Sequence, residues 1–284
     1  MSTLNNAELK DRERKTWALV AEGWRRQDEL LREGAAPVTN RMLELAKIGA
    51  GHSVLDIASG TGEPAISAAQ LVGAGGRVIG TDLIDNMLAF AREKAAQANL
   101  DNIEFHCVDG EELTFDPAAF DAVTMRWGLM FMPEPEACLK RVHSFLKEGG
   151  RVVTACWAAP DRNPFVMVAM QVLGKYMELP KPPPGTPGIF SFADADRLHR
   201  VLESSGFGNI EIEEMEIDVM EVEDGAAYWS SISDLAGPVM MLVNQLDEDT
   251  RAKFERDVIE TADAMKQGES LKMSGTTWIA SGIR

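Results

Sequence analysis

The chain has 284 residues, 45% of them hydrophobic, and a formal net charge of −17 at pH 7. That length and apolar share are ample for a globular core and fit one large domain, or one domain with a substantial insert. The acidic balance argues against a basic nucleic-acid-binding face and against attachment to anionic lipid, and no apolar run approaches the roughly 18–20 residues of a transmembrane helix. The N-terminus is polar and charged, unlike a secretory signal. Cys107, Cys138 and Cys156 lie far apart and form no C-x-x-C pair, so neither a disulfide nor a zinc site is expected, nor any other metal. The reading is a cytoplasmic protein without a nucleic-acid partner or a membrane span.

In chain order, residues 12–31 read as an N-terminal helix. Trp17 and Trp24 are seven residues apart on it and share a face. Residues 53–57 read as a first strand, 64–72 as a helix, 77–81 as a strand and 84–98 as a long amphipathic helix. Strands are expected at 103–108 and 120–125. A helix over 134–146 is expected to stop at Lys147-Glu148-Gly149-Gly150, a glycine C-terminal signal, before a fifth strand over 151–157. The proline-rich stretch 158–190 reads as loop, with 181–188 its stiffest part. Residues 193–205 read as a helix closed by Gly206, 209–217 as a strand, 226–265 as largely helical and 276–283 as a last strand. Strands alternating with helices imply right-handed crossovers and a mainly parallel sheet.

Such sheets bind ligands beyond the carboxyl ends of their strands. The first strand runs into Asp56-Ile57-Ala58-Ser59-Gly60-Thr61-Gly62, and glycines there let backbone approach a nucleotide-like ligand. Asp82 follows Gly62 by 20 residues, close to the spacing of about 20 between a glycine turn and a ribose-binding acid, though one acid there could also be a helix N-cap. Asp109 ends the third strand, where an acid can accept an adenine amine. Arg126 and Trp127 end the fourth. No Gly-Lys-Ser/Thr follows the glycines, so this is not a P-loop. The dinucleotide pattern G-x-G-x-x-G is met at its third place by Ala65, which leaves an NAD-dependent oxidoreductase as the alternative. Asp56 separates the two: it would repel a pyrophosphate but favour a ligand carrying ammonium and sulfonium charges.

Together these segments resemble the class I S-adenosylmethionine-dependent methyltransferases, with a flavour of the ubiquinone/menaquinone-biosynthesis type. Val54 to Gly62 looks like their glycine-rich motif, Gly80-Thr81-Asp82-Leu83 with Asn86-Met87-Leu88 the second, Val108-Asp109-Gly110-Glu111 the adenine segment, Phe120-Asp121-Ala122-Val123 the fourth strand, and Leu146 to Val152 the turn before the fifth. The matching motifs cover about residues 50–157. The resemblance implies a Rossmann-like, seven-stranded, mostly parallel sheet with an antiparallel last strand and helices on both faces, to which the helices read at 12–31 and near 226–265 add N-terminal and C-terminal helical caps. Residues 1–45 would form the N-terminal cap, and 46–284 the methyltransferase domain with a helical insert at about 218–270. It also implies S-adenosyl-L-methionine as cofactor and S-adenosyl-L-homocysteine as product. Gly60 and Gly62 would lie along the cofactor's methionine part, with Ala58 and Thr61 of the same turn as further cofactor-binding residues. Asp56 would hold its amine, Asp82 its ribose hydroxyls, Leu83 and Met87 its adenine faces, and Asp109 with Gly110 its adenine edge. Arg126 and Trp127 would sit near the sulfonium. A relative that binds the cofactor without transferring methyl is a third reading.

Methyl transfer is an in-line displacement that needs a base only where the acceptor must lose a proton. His52, His106, His143 and His199 read as structural or surface residues. Asp161 and Asn163, just past the fifth strand, are better placed. Trp17, Trp24, Met130, Trp157, Phe165, Tyr228 and Trp229 read either as ordinary core or as the wall of an apolar acceptor pocket closed by the helical additions. The acidic run 211–216 reads as a solvated strand face. The expected partners are a small-molecule acceptor and a second copy in a homodimer.

Overall fold

The computed structural model describes residues 5–183 and 185–284, so the first four residues of the expected N-terminal cap and Pro184 of the proline loop lie outside the described residues. Two helices come first, α1 (Asn6–Arg26) and α2 (Asp28–Leu45). An alternating series follows: β1 (Ser53–Ile57), α3 (Ala65–Val72), β2 (Arg77–Asp82), α4 (Asp85–Gln97), β3 (Ile103–Cys107), β4 (Phe120–Arg126), α5 (Pro135–Phe145) and β5 (Leu146–Trp157). The rest is α6 (Pro164–Leu173), α7 (Ala195–Ser204), β6 (Gly208–Val222), α8 (Gly225–Leu235), α9 (Gly237–Val243), α10 (Glu248–Asp263) and β7 (Leu271–Ile283).

The strands form one seven-stranded sheet in the order β3-β2-β1-β4-β5-β7-β6. β1 to β5 are parallel, and β7 runs antiparallel between β5 and β6. Chain order reverses direction across the sheet between β1 and β4, which is where such sheets hold ligands. β1 is buried along nearly its whole length, as expected of a strand covered on both faces. β6 is an edge, and it carries the acidic run: Glu213 pairs with Arg41 of α2 at 2.6 Å, and Glu214 with Arg162. Charged side chains on an edge strand discourage pairing with another chain.

Four regions differ from the sequence reading. The N-terminal helix begins earlier, because Asn5 and Glu8 form a capping box, and a second helix follows it through Pro37. That helix is held by packing rather than propensity: Ala35, Val38 and Met42 are buried, and a side chain at Gly34 would come within 2.0 Å of the Val219 carbonyl of β6. Gly149-Gly150 do not cap α5, which passes straight into β5. They sit in a strand irregularity, where pairing jumps from Phe120–Leu146 to Ala122–Arg151 and Gly149 stands at φ +76°. The proline stretch contains α6, because Pro164 occupies a first-turn position where proline starts a helix rather than breaking one. The helical stretch between β6 and β7 is three helices, broken at Ala236 and again after Asn244.

Candidate active site

The turn after β1 brings backbone to the carboxyl edge of the sheet. Ala58 stands at φ +59° and Gly60 at +53°. A side chain at Gly60 would meet no atom within 4 Å, so open space lies in front of it. Gly62 is a glycine for another reason: at φ +113° its Cβ would fall 2.6 Å from Ile66 Cδ1 and 3.2 Å from Ala91 Cβ. It lets α3 and α4 pack closely under the loop, and it does not line the cavity. The loop after β4 is locked to the same turn, since a Cβ on Gly128 would lie 2.4 Å from that of Ala58.

Around this turn stand the acids. Asp82 Oδ2 accepts from the Gly60 amide at 2.8 Å, and Oδ1 from the Ile84 amide at 2.9 Å. It therefore braces the loops after β1 and β2, and each oxygen keeps a lone pair for a ligand. Burial pushes its carboxyl above the usual carboxylate range. Asp109 Oδ1 accepts from the Glu111 amide at 2.9 Å, while Oδ2 pairs at 2.8 Å with Lys10 of α1. Burial pulls the Lys10 ammonium down, but its bonds to Asp109 and Glu111 outweigh that and hold it above the ordinary lysine value. Asp56 is fully buried under the loop. Its Oδ1 accepts from the Thr124 hydroxyl at 2.6 Å, and its Oδ2 has no partner. Burial pushes this carboxyl up to about 7, against the pull of the Thr124 and Ser59 hydroxyls and of Arg126.

These elements border one cavity of about 610 Å³. Ala58, Gly60, Thr61, Asp82, Leu83, Met87, Asp109, Gly110, Arg126 and Trp127 line it. So do Trp17, Trp24, Met130, Trp157 and Phe165. Trp127, at φ +57°, stacks on Trp157 at 4.4 Å and 12°, and Trp157 meets Phe165 at 4.6 Å. Trp17 meets Phe131 edge-on at 5.0 Å and Trp24 at 5.9 Å. Beyond this aromatic group the wall is apolar, with Met167 and Met170 of α6, Phe190, Met220 of β6, and Val239 and Leu242 of α9.

Four expected pocket or catalytic residues lie elsewhere. Tyr228 is fully buried, its hydroxyl donating to the Phe165 carbonyl at 3.0 Å. Trp229 packs edge-on against Phe254 at 5.2 Å. Both are core posts between helices. Asn163 is also fully buried and fully used: its amide donates to the Ala158 and Ala159 carbonyls and its Oδ1 accepts from the Thr276 amide. Asp161 is exposed and does not line the cavity. None of the four histidines lines it either. The sequence reading overlooked Lys10 and Glu13 of α1 and Glu63 after β1, all three on the cavity wall. Recognition of the Asn5-x-x-Glu8 capping box would have extended α1 back to include Lys10, which with Glu13 falls on the Trp17 face.

Residues 48–181 match the model of a methyltransferase domain family. The chain is 30% identical over 181 residues to the demethylmenaquinone methyltransferase of Staphylococcus carnosus, covering 61% of this chain and 74% of that one. It is 33% identical over 171 residues to that of Staphylococcus haemolyticus, covering 57% and 71%. This chain belongs to the methyltransferase family. It is a class I S-adenosylmethionine-dependent methyltransferase of the menaquinone-methyltransferase type. The fold agrees. The Bacillus subtilis YcgJ protein superposes with a TM-score of 0.57 at 17% identity, over 88% of this chain and 98% of that one. Phosphoethanolamine N-methyltransferase 2 of Haemonchus contortus gives 0.60 at 15% identity, over 100% and 61%. The donor set of the methyltransferase fits its cofactor: open space before Gly60, acceptor oxygens at Asp82, and an unpartnered buried oxygen at Asp56. No described helix is long and apolar enough to cross a membrane.

Proposed function

We propose that this methyltransferase moves a methyl group from S-adenosylmethionine to a flat, apolar, quinone-type small molecule, as the names of its demethylmenaquinone-methylating relatives suggest. One observation carries the reading: the cavity that begins at the glycine turn continues into a chamber walled by the Trp127–Trp157–Phe165 group and by methionines. Flat aromatic walls and adaptable thioethers suit a planar apolar ring.

Bound, the cofactor supplies a methyl group on a sulfonium. Asp82 accepts from the ribose hydroxyls, Leu83 and Met87 flank the adenine, Gly110 and Asp109 meet its edge, and Asp56 faces the ammonium. Among the described residues no histidine lines the cavity, although Glu13 and Glu63 stand on its wall, and the chain acts by alignment of an acceptor atom that is already nucleophilic. Helices α1, α2, α8 and α9 act as caps that keep water out, since α1 and α9 both contribute to the cavity wall. We carry the proposal to location and assembly: a cytoplasmic enzyme with free thiols, and a homodimer that sedimentation velocity would detect.

The test supplies purified enzyme with methyl-labelled cofactor and a short-chain demethylmenaquinone analogue kept reduced. Label in the quinone is expected. Binding of S-adenosylhomocysteine without label in this acceptor, while another apolar acceptor is methylated, would remove the quinone assignment.

A further inference from the structure

Arg126 is a cation inside the cavity wall whose charge is not matched by an ion pair. Its Nη1 donates to the Thr39 hydroxyl of α2 at 2.6 Å, and its guanidinium lies 5.1 Å from the Trp127 ring. No carboxylate among the described residues forms an ion pair with it. The nearest acids are committed elsewhere or kept apart: Glu63 Oε2 accepts from Ser67 Oγ at 2.7 Å, and Asp28 pairs with Lys94 at 2.8 Å. Burial draws the guanidinium below its ordinary value, with Glu63, Asp56 and Asp28 pulling the other way. Four of its five N–H donors have no partner among the described residues, and a charge half withdrawn from water without an ion-pair partner is one that a ligand can complete.

Asp56 is its opposite number. In the parallel β1–β4 register Asp56 stands beside Thr124, and its carboxylate takes the Thr124 hydroxyl, so both side chains leave the same face of the sheet. Arg126 is two residues beyond Thr124 and so on that face too, about 7 Å further along the strand. One buried carboxylate oxygen without a partner and one half-buried guanidinium without an ion-pair partner thus leave the same face of the sheet at its carboxyl edge, where the strand order reverses. That is the pattern an α-amino acid end completes, with an ammonium and a carboxylate on one carbon.

We propose that Arg126 holds the α-carboxylate of the cofactor's amino-acid end, across from the ammonium that faces Asp56. This rests on the cofactor reading above. It revises the expectation that Arg126 lies by the sulfonium, because a guanidinium there would face a like charge. The same donors could in chemical terms serve an oxyanion on the acceptor, and the test separates the two.

Calorimetry is run with S-adenosylhomocysteine, its decarboxylated analogue and 5′-methylthioadenosine, which lacks the amino-acid end. In the wild-type protein, loss of the ligand carboxylate is expected to weaken binding at least about tenfold, as for a hydrogen bond to a charged group. Arg126→Met should lose a similar factor for S-adenosylhomocysteine, none for methylthioadenosine, and nothing more for the decarboxylated analogue, so the two losses do not add. Arg126→Lys should fall between. Equal affinity of the wild-type protein for the ligands with and without carboxylate overturns the proposal, and that measurement needs no variant to fold. Unchanged S-adenosylhomocysteine binding by Arg126→Met with loss of turnover also overturns it, in favour of an acceptor oxyanion. A wild-type protein that binds none of the three ligands fails at the cofactor reading instead.

Discussion

The amide of Gly60 donates a 2.8 Å hydrogen bond to Oδ2 of Asp82. The turn after β1 and the acid after β2 are therefore one unit: the carboxylate proposed to receive the ribose also holds the loop against which the methionine part is proposed to lie. The 20-residue interval between Gly62 and Asp82 is the length of one crossover, α3 plus β2, that brings the acid back beside the turn.

Asp82→Ala removes the ribose acceptor and the brace together. Affinity for S-adenosylhomocysteine should fall at least about tenfold, in the range for hydrogen bonds to a charged group. Asp82→Asn keeps one acceptor oxygen and should lose less. Calorimetry decides it, and undiminished affinity in the alanine variant would show that the ribose is held elsewhere.

Asp56 gives a pH dependence of definite sign. Its folded value is about 7 against an ordinary 3.8. Between those values the folded protein binds the proton and the unfolded chain does not, so this group's contribution to stability falls as pH rises from about 4 to 7 and is level above. Asp56→Asn removes the penalty, so its Tm should gain on the wild type by several degrees between pH 5 and pH 8, at about 2 °C per kcal/mol for a chain of this size. Cofactor binding should run the other way. An ammonium favours the ionised carboxylate, so binding at pH 6.5 should release a proton, seen as a heat that varies with buffer ionisation enthalpy. A Tm difference independent of pH would show that Asp56 does not titrate in this range.

Gly128→Ala tests the lock between the loops after β1 and β4. The new methyl would lie 2.4 Å from Ala58 Cβ and 3.3 Å from Met125 Cγ, and Ala58 is itself held at φ +59°. The expected cost is about 1–3 kcal/mol, with weaker S-adenosylhomocysteine binding because the loop must shift. Gly149→Ala is the control. It meets no atom within 4 Å and carries only the strain of φ +76°, so it should lower Tm without touching binding.

The part of the cavity wall at the carboxyl edge was legible because its residues sit at strand ends, where chain position alone determines which edge of the sheet they reach. Asp82, Asp109 and Arg126 needed only the alternation of strands and helices to be brought together. Asp56 and Gly62 belong to the same turn but lie beneath it and not on the cavity wall: distance along the chain does not tell which way a side chain leaves. The apolar wall was less legible because it comes from α1, α6, α9 and β6, far apart in sequence, and the residue spacing along a helix is the same for a core face and a pocket face. Trp17 and Tyr228 are both aromatic residues on cap helices. Only packing shows that one looks into the cavity and the other props α8 against α6.

That difference can be measured. Tyr228→Phe deletes a buried hydroxyl whose partner, the Phe165 carbonyl, sits in the first turn of α6. The loss should be about 1 kcal/mol, or a Tm lower by about 2–4 °C, with the Michaelis constant for the acceptor and the affinity for S-adenosylhomocysteine unchanged. Phe165→Leu alters the cavity wall itself, where the ring lies 4.6 Å from Trp157. It should raise the acceptor's Michaelis constant several-fold at similar stability, since the swap is apolar and close in volume. A raised Michaelis constant in Tyr228→Phe would mean that the ring bears on the chamber after all, and an unchanged one in Phe165→Leu would mean that the acceptor does not reach the Trp157 wall.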